Sequence, residues 1–225
     1  MKRIYVADDE ADIRRLIESF LKAEGYEVEG FASGDKLLEA FDRRPADLLV
    51  LDIMMPGMDG LSLCAAVRRR SDVPIILLTA RDTDADMITG FTMGCDDYFT
   101  KPFSMVKLML RVKAIFSRMA DESGAEALSF GDLTLRPLQR TAWRGEEELK
   151  LTNTEFSLLK HLLEHRDKVV SREELLNIVW GYDSFVETRA TDDIVKRLRK
   201  KLSAASSGVV IETVWGIGFR LKKTV

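Results

Sequence analysis

Hydrophobic positions in the first half of the chain alternate between unbroken runs and helical spacing. Apolar runs at residues 4–7, 48–51 and 74–78 predict strands that are buried on both faces. Shorter strand patterns cover Glu27–Phe31 and Asp97–Thr100. Residues at helical spacing separate these runs, for example Ile13, Leu16, Ile17, Phe20, Leu21 and then Leu61, Cys64, Val67. Strands alternating with helices predict an α/β fold with a doubly wound parallel sheet.

The second half has a different order of elements. Short strand patterns come first, at residues 128–130, 133–135, 140–143 and 148–151. Helical patterns follow at residues 154–164, 172–180 and 189–202, and two strands around a Gly216-x-Gly218 turn end the chain. Three helices closed by a hairpin predict an α+β winged-helix domain. The small, polar stretch 119–127 separates the halves, so we expect a first domain at 1–118, a linker at 119–127 and a second domain at 128–225.

Composition narrows the class of protein. Fully apolar runs are far shorter than the roughly 20 residues of a membrane span, and the N-terminal run is too short for a secretory signal. Cys64 and Cys95 sit in no metal-binding spacing and predict two reduced thiols in a cytoplasmic protein. The net charge of −3 means that any DNA binding must come from a local basic patch.

Chemically active residues follow the ends of the predicted strands. Asp8 and Asp9 follow the first strand, and Asp52, Thr79 and Lys101 follow three others. Ligands bind in the crevice at the carboxyl ends of such strands, so these groups should converge. Clustered carboxylates suit Mg²⁺, and a lysine and a hydroxyl can contact a phosphoryl group, which makes Asp52 the expected nucleophile. Taken singly, the acidic residues also fit a helix N-cap, Thr79 a cap, and Lys-Pro a plain turn.

The motifs that carry these residues resemble bacterial two-component response regulators. They are Ala-Asp-Asp-Glu at 7–10, Leu-Asp-Ile-Met-Met-Pro-Gly at 51–57, Leu-Thr-Ala at 78–80 and Asp-Asp-Tyr-Phe-Thr-Lys-Pro at 96–102. The resemblance implies a flavodoxin-like strand order of 2-1-3-4-5 and phosphorylation of Asp52 by a sensor histidine kinase. It implies Mg²⁺ bound by Asp9, Asp52 and the carbonyl of Met54, with Asp8 acting partly through water. It further implies that Lys101 contacts the phosphoryl group and that Thr79 and Tyr98 form a switch pair.

The predicted helix at 189–202 has one apolar and one basic face. Thr191, Val195, Leu198 and Leu202 form an inward stripe. The basic residues on the other face are Arg189, Lys196, Arg197, Arg199, Lys200 and Lys201. Such a helix fits the major groove of DNA, and it also fits a solvated surface helix.

The second half resembles the OmpR/PhoB subfamily through Leu-Thr-Asn-Thr-Glu-Phe at 151–156, Val-Ser-Arg-Glu-Glu-Leu at 170–175 and Val-Trp-Gly-Ile-Gly-Phe-Arg at 214–220. The resemblance implies binding to direct-repeat promoter sites and contact with RNA polymerase through residues 181–187. The expected DNA-contacting residues are Arg189, Asp193, Ile194, Lys196, Arg197, Arg199, Lys200, Thr213 and Trp215. Relatives often carry arginine in place of Trp215, and tryptophan cannot supply that positive charge to the minor groove. Relatives also often carry a polar or basic residue in place of Ile194, so the apolar Ile194 is expected to contact a thymine methyl. Residues 213–218 loosely resemble regulators of glycopeptide-resistance or cell-envelope genes.

The subfamily also implies a homodimer through the fourth helix, fifth strand and fifth helix of the receiver. Asp97 and Arg111 are expected to form one intersubunit ion pair. Other positions depart from the usual charges and present apolar residues instead: Met87, Ile88, Phe91 and Leu110. We therefore expect a dimer held mainly by apolar contacts.

Three functions fit the residues. The first is a phosphorylation-controlled transcription factor, which is no enzyme beyond assisting its own phosphorylation and dephosphorylation. The second is a phosphatase that forms an aspartyl phosphate on Asp52, although 118 residues leave no room for a cap domain. The third is a DNA-binding module with a degenerate receiver, which the intact set of Asp8, Asp9, Asp52, Thr79 and Lys101 disfavours.

Overall fold

A computed structural model of the chain describes residues 1–80, 94–120, 126–180 and 189–224, with the side chains of 118–120, 189 and 190 excepted. The chain divides into two compact units, Met1–Lys113 and Ala114–Val225. In the described residues no helix is both long enough and apolar enough to cross a membrane.

The first unit contains a five-stranded parallel sheet. Its strands are β1 (Arg3–Ala7), β2 (Glu27–Phe31), β3 (Leu48–Asp52), β4 (Ile75–Thr79) and β5 (Asp97–Thr100). They are ordered β2-β1-β3-β4-β5, which confirms the predicted α/β class and strand order. Every residue of β3 and β4 is buried, as their unbroken apolar runs require.

Three helices connect the first four strands: α1 (Ala11–Ala23), α2 (Gly34–Arg43) and α3 (Gly60–Arg68). A further helix, α4 (Met105–Ala120), follows β5. Here α4 is the predicted fifth helix of the receiver, because the predicted fourth falls on 81–93, outside the described residues. Gly25, with φ of +86°, follows the end of α1 as a left-handed residue. Only part of the predicted α1 stripe is buried, since Ile17 and Leu21 face the core while Leu16 and Phe20 are 48% and 41% exposed.

The second unit begins with an antiparallel sheet. Its strands β6 (Leu128–Phe130), β7 (Leu133–Arg136), β8 (Thr141–Arg144) and β9 (Glu147–Leu149) pair in chain order. The helices α5 (Asn153–Glu164), α6 (Arg172–Trp180) and α7 (Arg189–Ala204) follow. A second sheet, ordered β10-β12-β11, consists of β10 (Val170–Ser171), β11 (Val209–Val214) and β12 (Gly218–Lys223).

Three helices followed by the β11–β12 hairpin confirm the predicted winged-helix domain. The exact domain boundaries stay predictions. Helix α4 continues to Ala120 and so takes up the first two residues of the predicted linker, while residues 121–125 lie outside the described part.

Candidate functional site

Three aspartates meet at the carboxyl end of the parallel sheet. Asp8 directly follows β1, and Asp52 is the last residue of β3. One carboxylate oxygen each from Asp8, Asp9 and Asp52 lies within 4.8 Å of the others. Asp8 and Asp52 are buried and Asp9 is exposed, so the cluster opens to solvent on the Asp9 side.

Lys101 provides the positive charge of this cluster. Its Nζ donates to Asp8 Oδ2 at 2.9 Å and to Glu10 Oε1 at 3.2 Å, and it lies 3.3 Å from Asp52 Oδ1. The lysine follows β5 and is joined to Pro102 by a cis peptide bond. The predicted convergence of these groups is therefore present. Glu10, the last residue of the Ala-Asp-Asp-Glu motif, is an additional partner of Lys101 that was not predicted.

Local backbone contacts fix the aspartates. The Arg14 guanidinium donates to the carbonyl of Asp8 at 2.6 Å, and Asp8 Oδ1 accepts from the backbone N–H of Glu10 at 2.9 Å. At the end of β3, a Cβ added to Gly60 would lie 2.2 Å from the carbonyl oxygen of Asp52. Gly60 thus lets the start of α3 approach the end of β3. The sequence around Asp59 did not indicate that a glycine is required here.

Burial dominates the electrostatics of the cluster. It raises the pKa of both Asp8 and Asp52 above their usual range, although the nearby Lys101 ammonium works in the opposite direction. Burial by itself would lower the pKa of Lys101, but the hydrogen bond to Asp8 and the charge of Asp52 outweigh it and raise that pKa. Two buried carboxylates thus share one ammonium.

The cluster suits a hard divalent cation. Asp52 Oδ1 is buried and has no hydrogen-bond partner, and three carboxylates face a single lysine. Oxygen donors with excess negative charge are what Mg²⁺ requires. Met54, whose carbonyl is the other expected ligand, lies two residues after Asp52 with its side chain 48% exposed. Its role stays a prediction.

The expected switch residues are both buried. Thr79 is the last residue of β4 and has no exposed surface, and Tyr98 lies on the neighbouring β5 with 7% exposed. The two strands pair in register, with Leu77 opposite Tyr98 and Thr79 opposite Thr100. Thr79 therefore sits at the same sheet edge as Asp52 and Lys101.

The inward stripe of α7 is wider than predicted, and this corrects one proposed DNA contact. Thr191, Val195, Leu198 and Leu202 are buried as expected, and Ile194 is buried as well, with no exposed surface. Ile194 lies three residues after Thr191 on the same helical face. The prediction that Ile194 contacts a thymine methyl is therefore wrong in this arrangement.

Arg197 also points away from solvent. Its Nε lies 3.4 Å from Oε1 of Glu155, a residue that is 1% exposed. Glu155 forms a capping box with Thr152 at the start of α5, and Lys201 donates to its Oε2 at 2.6 Å. Arg197 therefore connects α7 to the start of α5, and its predicted role as a DNA contact is wrong in this structure. The role of Glu155 was not predicted.

The remaining predicted DNA residues fall into two groups. Arg199 is held against the hairpin, since it donates to the carbonyl of Ile211 at 2.8 Å and to Oγ1 of Thr213 at 2.7 Å. Lys196 and Lys200 are exposed, and Trp215, beside Gly216 at the hairpin turn, is 89% exposed. Asp193 is half-buried, and the side chain of Arg189 lies outside the described part of the chain, as do residues 181–187.

The ion pair predicted for the dimer face also forms within a single chain. Arg111 Nε pairs with Asp97 Oδ2 inside one chain, and both side chains are largely buried. The pair therefore connects α4 to β5 within the chain, and its role between subunits stays a prediction. Leu110 is 58% exposed, as an apolar contact residue should be. Met87, Ile88 and Phe91 lie outside the described residues.

Comparisons with known proteins match both units. Residues 4–113 match the "Response regulator receiver domain", and residues 145–221 match "Transcriptional regulatory protein, C terminal". The regulatory protein VanR of Enterococcus faecium is 38% identical, with 98% of this chain and 99% of VanR covered. The response regulator MprA of Mycobacterium leprae is 39% identical, with 99% of each chain covered.

Solved structures agree with this assignment. A RitR mutant structure is 27% identical with a TM-score of 0.80, covering 99% of this chain and 100% of its own. The response regulator DrrB, an OmpR/PhoB homologue from Thermotoga maritima, is 31% identical with a TM-score of 0.51 over 99% of each chain. The chain belongs to the OmpR/PhoB-type response regulators, the DNA-binding transcriptional regulators of two-component systems.

Proposed function

We propose that Asp52 is the residue that accepts a phosphoryl group from a sensor histidine kinase. The supporting observation is the position of Asp52 Oδ1, which is buried without a hydrogen bond and lies 3.3 Å from the Lys101 ammonium. A carboxylate oxygen of Asp52 would attack phosphorus as the phosphorus–nitrogen bond to the kinase histidine breaks. The exposed side of the cluster, at Asp9, leaves a path for the kinase histidine.

The other groups of the cluster position and neutralise the phosphoryl group. Asp9, Asp52 and the Met54 carbonyl would hold Mg²⁺, with Asp8 acting partly through water. The cation offsets negative charge on the phosphoryl oxygens. Lys101 supplies a second positive charge and would exchange part of its contact with Asp8 and Glu10 for a phosphoryl oxygen. The receiver's chemistry would be limited to its own phosphorylation and dephosphorylation.

Phosphorylation would be read out through Thr79 and Tyr98. The Thr79 hydroxyl would turn towards a phosphoryl oxygen, and Tyr98 would occupy the space beside it. Both residues are buried on adjacent strands, so a change at one affects the packing of the other. This readout would favour a homodimer, which matches a promoter with direct repeats.

The winged helix would bind the promoter through α7 and the hairpin. Lys196 and Lys200 are exposed cations on α7 and would contact phosphates, while Arg199 and Thr213 would hold the hairpin beside the helix. Trp215 would contact DNA from the hairpin turn. RNA polymerase would be recruited through residues 181–187. A protein with this activity would work in the cytoplasm.

Phosphorylation of the intact protein by a small phosphodonor with Mg²⁺ tests the acceptor. The wild type should gain the mass of one phosphoryl group, and Asp52→Asn, which is nearly isosteric, should gain none. Asp59→Asn is a useful comparison because Asp59 caps α3 just outside the cluster. Undiminished phosphorylation of Asp52→Asn would refute the assignment.

Mapping of bound promoters tests the regulatory half. We expect phosphorylated protein to occupy pairs of direct repeats. Genes of the cell envelope or of glycopeptide resistance are the predicted targets, from the resemblance of residues 213–218. Equal occupancy of all DNA sequences, by both the phosphorylated and the unphosphorylated protein, would contradict specific promoter binding.

A further inference from the structure

The two histidines of the chain lie together in the DNA-binding unit, in helix α5 and at its C-terminal cap. His161 and His165 are separated by one helical turn, and the backbone N–H of His165 still donates to the carbonyl of His161 at 3.1 Å. Glu174 of α6 reaches the same place. One ring nitrogen of each histidine and one carboxylate oxygen of Glu174 lie within 4.8 Å of one another.

One pair of donor atoms is spaced nearly as a metal ion would hold it. His161 Nε2 lies 2.9 Å from Glu174 Oε1, and the imidazole centroids are 4.1 Å apart with a tilt of 40°. Two donors bound to one tetrahedral ion at about 2.0 Å are about 3.3 Å apart. The His161–Glu174 pair is therefore within a few tenths of an ångström of that spacing, and a nitrogen of His165 lies within 4.8 Å of both donors. Histidines four residues apart on a helix are also the spacing used by helical zinc sites.

The tautomer of His165 suits a metal ligand. Its Nδ1 lies 2.9 Å from the carbonyl oxygen of His161, and a carbonyl can only accept, so Nδ1 carries the proton. That tautomer leaves Nε2 with a free lone pair. A ring N–H donated to a main-chain carbonyl is the usual support of a metal-ligating histidine, because it fixes the ring and raises its basicity.

The cluster of His161, His165 and Glu174 is partly buried but can be reached by an ion from solvent. His161 is 9% exposed, while the side chain of Glu174 is 41% exposed and leaves an entry from solvent.

We propose that His161, His165 and Glu174 form a site for a divalent transition metal of the Zn²⁺ class. Two imidazoles and a carboxylate suit Zn²⁺ and its neighbours rather than Mg²⁺, and three protein ligands leave one position for water. The metal would link α5 to α6 and so stabilise the DNA-binding unit. The competing description is a plain hydrogen bond between His161 and Glu174 that binds no metal.

Titration of the full chain with Zn²⁺ in the presence of excess Mg²⁺ tests the site. The Mg²⁺ occupies the aspartate cluster of the receiver, so Zn²⁺ should report the histidines. We expect one Zn²⁺ per chain in calorimetry, a rise in the melting temperature of the DNA-binding unit, and Co²⁺ absorption bands typical of tetrahedral coordination. Because the chain has two histidines, both of its imidazole NMR signals should shift together.

Variants separate the site from adventitious binding. His165→Ala and Glu174→Gln should each weaken Zn²⁺ binding by at least about tenfold. Both residues are partly exposed, so their loss should leave the circular dichroism spectrum unchanged. Glu164→Gln is the matched control, since this carboxylate lies on the same helix but faces Lys160 at 3.8 Å, and it should bind as the wild type does. Absence of stoichiometric Zn²⁺ binding, or equal binding by His165→Ala, would overturn the proposal. Neither result would bear on phosphorylation of Asp52.

Discussion

Burial of the Asp8 and Asp52 carboxyl groups lowers the stability of the folded chain at neutral pH. Burial raises the pKa of both carboxyl groups from the usual value of 3.8, and one lysine shared between them does not compensate. The folded chain then holds protons on these groups at a pH where the unfolded chain has released them. Stability therefore falls as the pH rises from about 3.8 through the folded pKa values, and it stays lower above them.

Asp52→Asn should accordingly stabilise the metal-free protein at neutral pH. Each unit of raised pKa corresponds to about 1.4 kcal/mol, and about 1 kcal/mol shifts the melting temperature of a small domain by roughly 4 °C or more. We expect the melting temperature to rise in calorimetry with a chelator present. The gain should shrink as the pH falls through the same window.

Asp12→Asn is the control for this effect, because the Asp12 side chain is 98% exposed and its charge costs little. Its melting temperature should stay close to that of the wild type at every pH. A lower melting temperature for Asp52→Asn at neutral pH would show that the carboxylate stabilises the metal-free fold and that our reading of its burial is wrong.

Trp215 permits a test of the hairpin turn. The indole is 89% exposed, so Trp215→Ala should change the free energy of unfolding by less than about 0.5 kcal/mol. If the indole contacts DNA, the same change should weaken promoter binding without altering its salt dependence, since no charge is lost. Trp215→Arg should instead steepen the plot of log affinity against log salt by roughly 0.9 if the added cation meets a phosphate.

Fluorescence anisotropy with labelled promoter DNA over a salt series measures both quantities. Lys200→Ala, which removes an exposed cation from α7, is the comparison and should make the salt plot shallower by a similar amount. Wild-type affinity in Trp215→Ala would exclude the hairpin turn from the interface.

Residue roles could be predicted where topology alone decides them. Asp8, Asp52, Thr79 and Lys101 follow strands that must be parallel, so their convergence follows from the sheet. The orientation of a side chain on an amphipathic helix is less certain. Arg197 has the charge of a DNA contact, yet it lies on the edge of the buried face and meets Glu155. Nothing in the spacing of basic residues distinguishes it from Lys196.

Secondary-structure elements were predictable in proportion to their periodicity. Helix α6 and strands β2, β5 and β6 have the predicted bounds, and α5 and α7 differ by one or two residues at an end. Strand β10 has two residues, Val170 and Ser171, and was missed because so short a run has no period. It forms only by pairing with β12, where Gly218 lets the two backbones approach.

The first turn of α5 and the last turns of α7 are held together by one carboxylate. Glu155 accepts from the backbone N–H of Thr152 at 2.8 Å and pairs with both Lys201 and Arg197. The three Arg197 guanidinium nitrogens are buried without hydrogen bonds, so the arginine depends on the charge of Glu155. Removal of one partner from a buried ion pair leaves the other charge uncompensated.

Glu155→Gln should therefore destabilise the DNA-binding unit by about 3 kcal/mol in urea unfolding. The glutamine retains the capping geometry, so the loss reports the charge itself. Glu164→Gln, on the same helix, breaks only a part-exposed pair with Lys160 and should cost less than about 1 kcal/mol. Equal midpoints for the two variants would mean that Glu155 acts only as a helix cap.

At the scale of the whole molecule, assembly depends on which contacts remain for a second copy. The resemblance to the subfamily predicts that Asp97 and Arg111 pair between subunits, and the same two residues also pair within one chain. A sequence cannot distinguish these cases, because the same two charges satisfy either. Two apolar side chains stay on the surface of α4 beside the exposed Lys107 and Lys113: Val106 and Leu110, one turn apart, are both more than half exposed.

These exposed side chains lead to a prediction about the homodimer. Exposed ion pairs contribute only about 0–1 kcal/mol each, whereas burial of one large apolar side chain contributes about 1.5–3 kcal/mol. We therefore expect a dimer that persists as salt is raised and that phosphorylation strengthens. Sedimentation velocity of the full chain, with and without phosphodonor and over a salt series, measures this. Leu110→Asp should prevent dimerisation, while Leu16→Asp, which changes a comparably exposed leucine on α1, should not. A dimer that dissociates steeply with salt, or one that tolerates Leu110→Asp, would show that charge rather than apolar contact holds the subunits together.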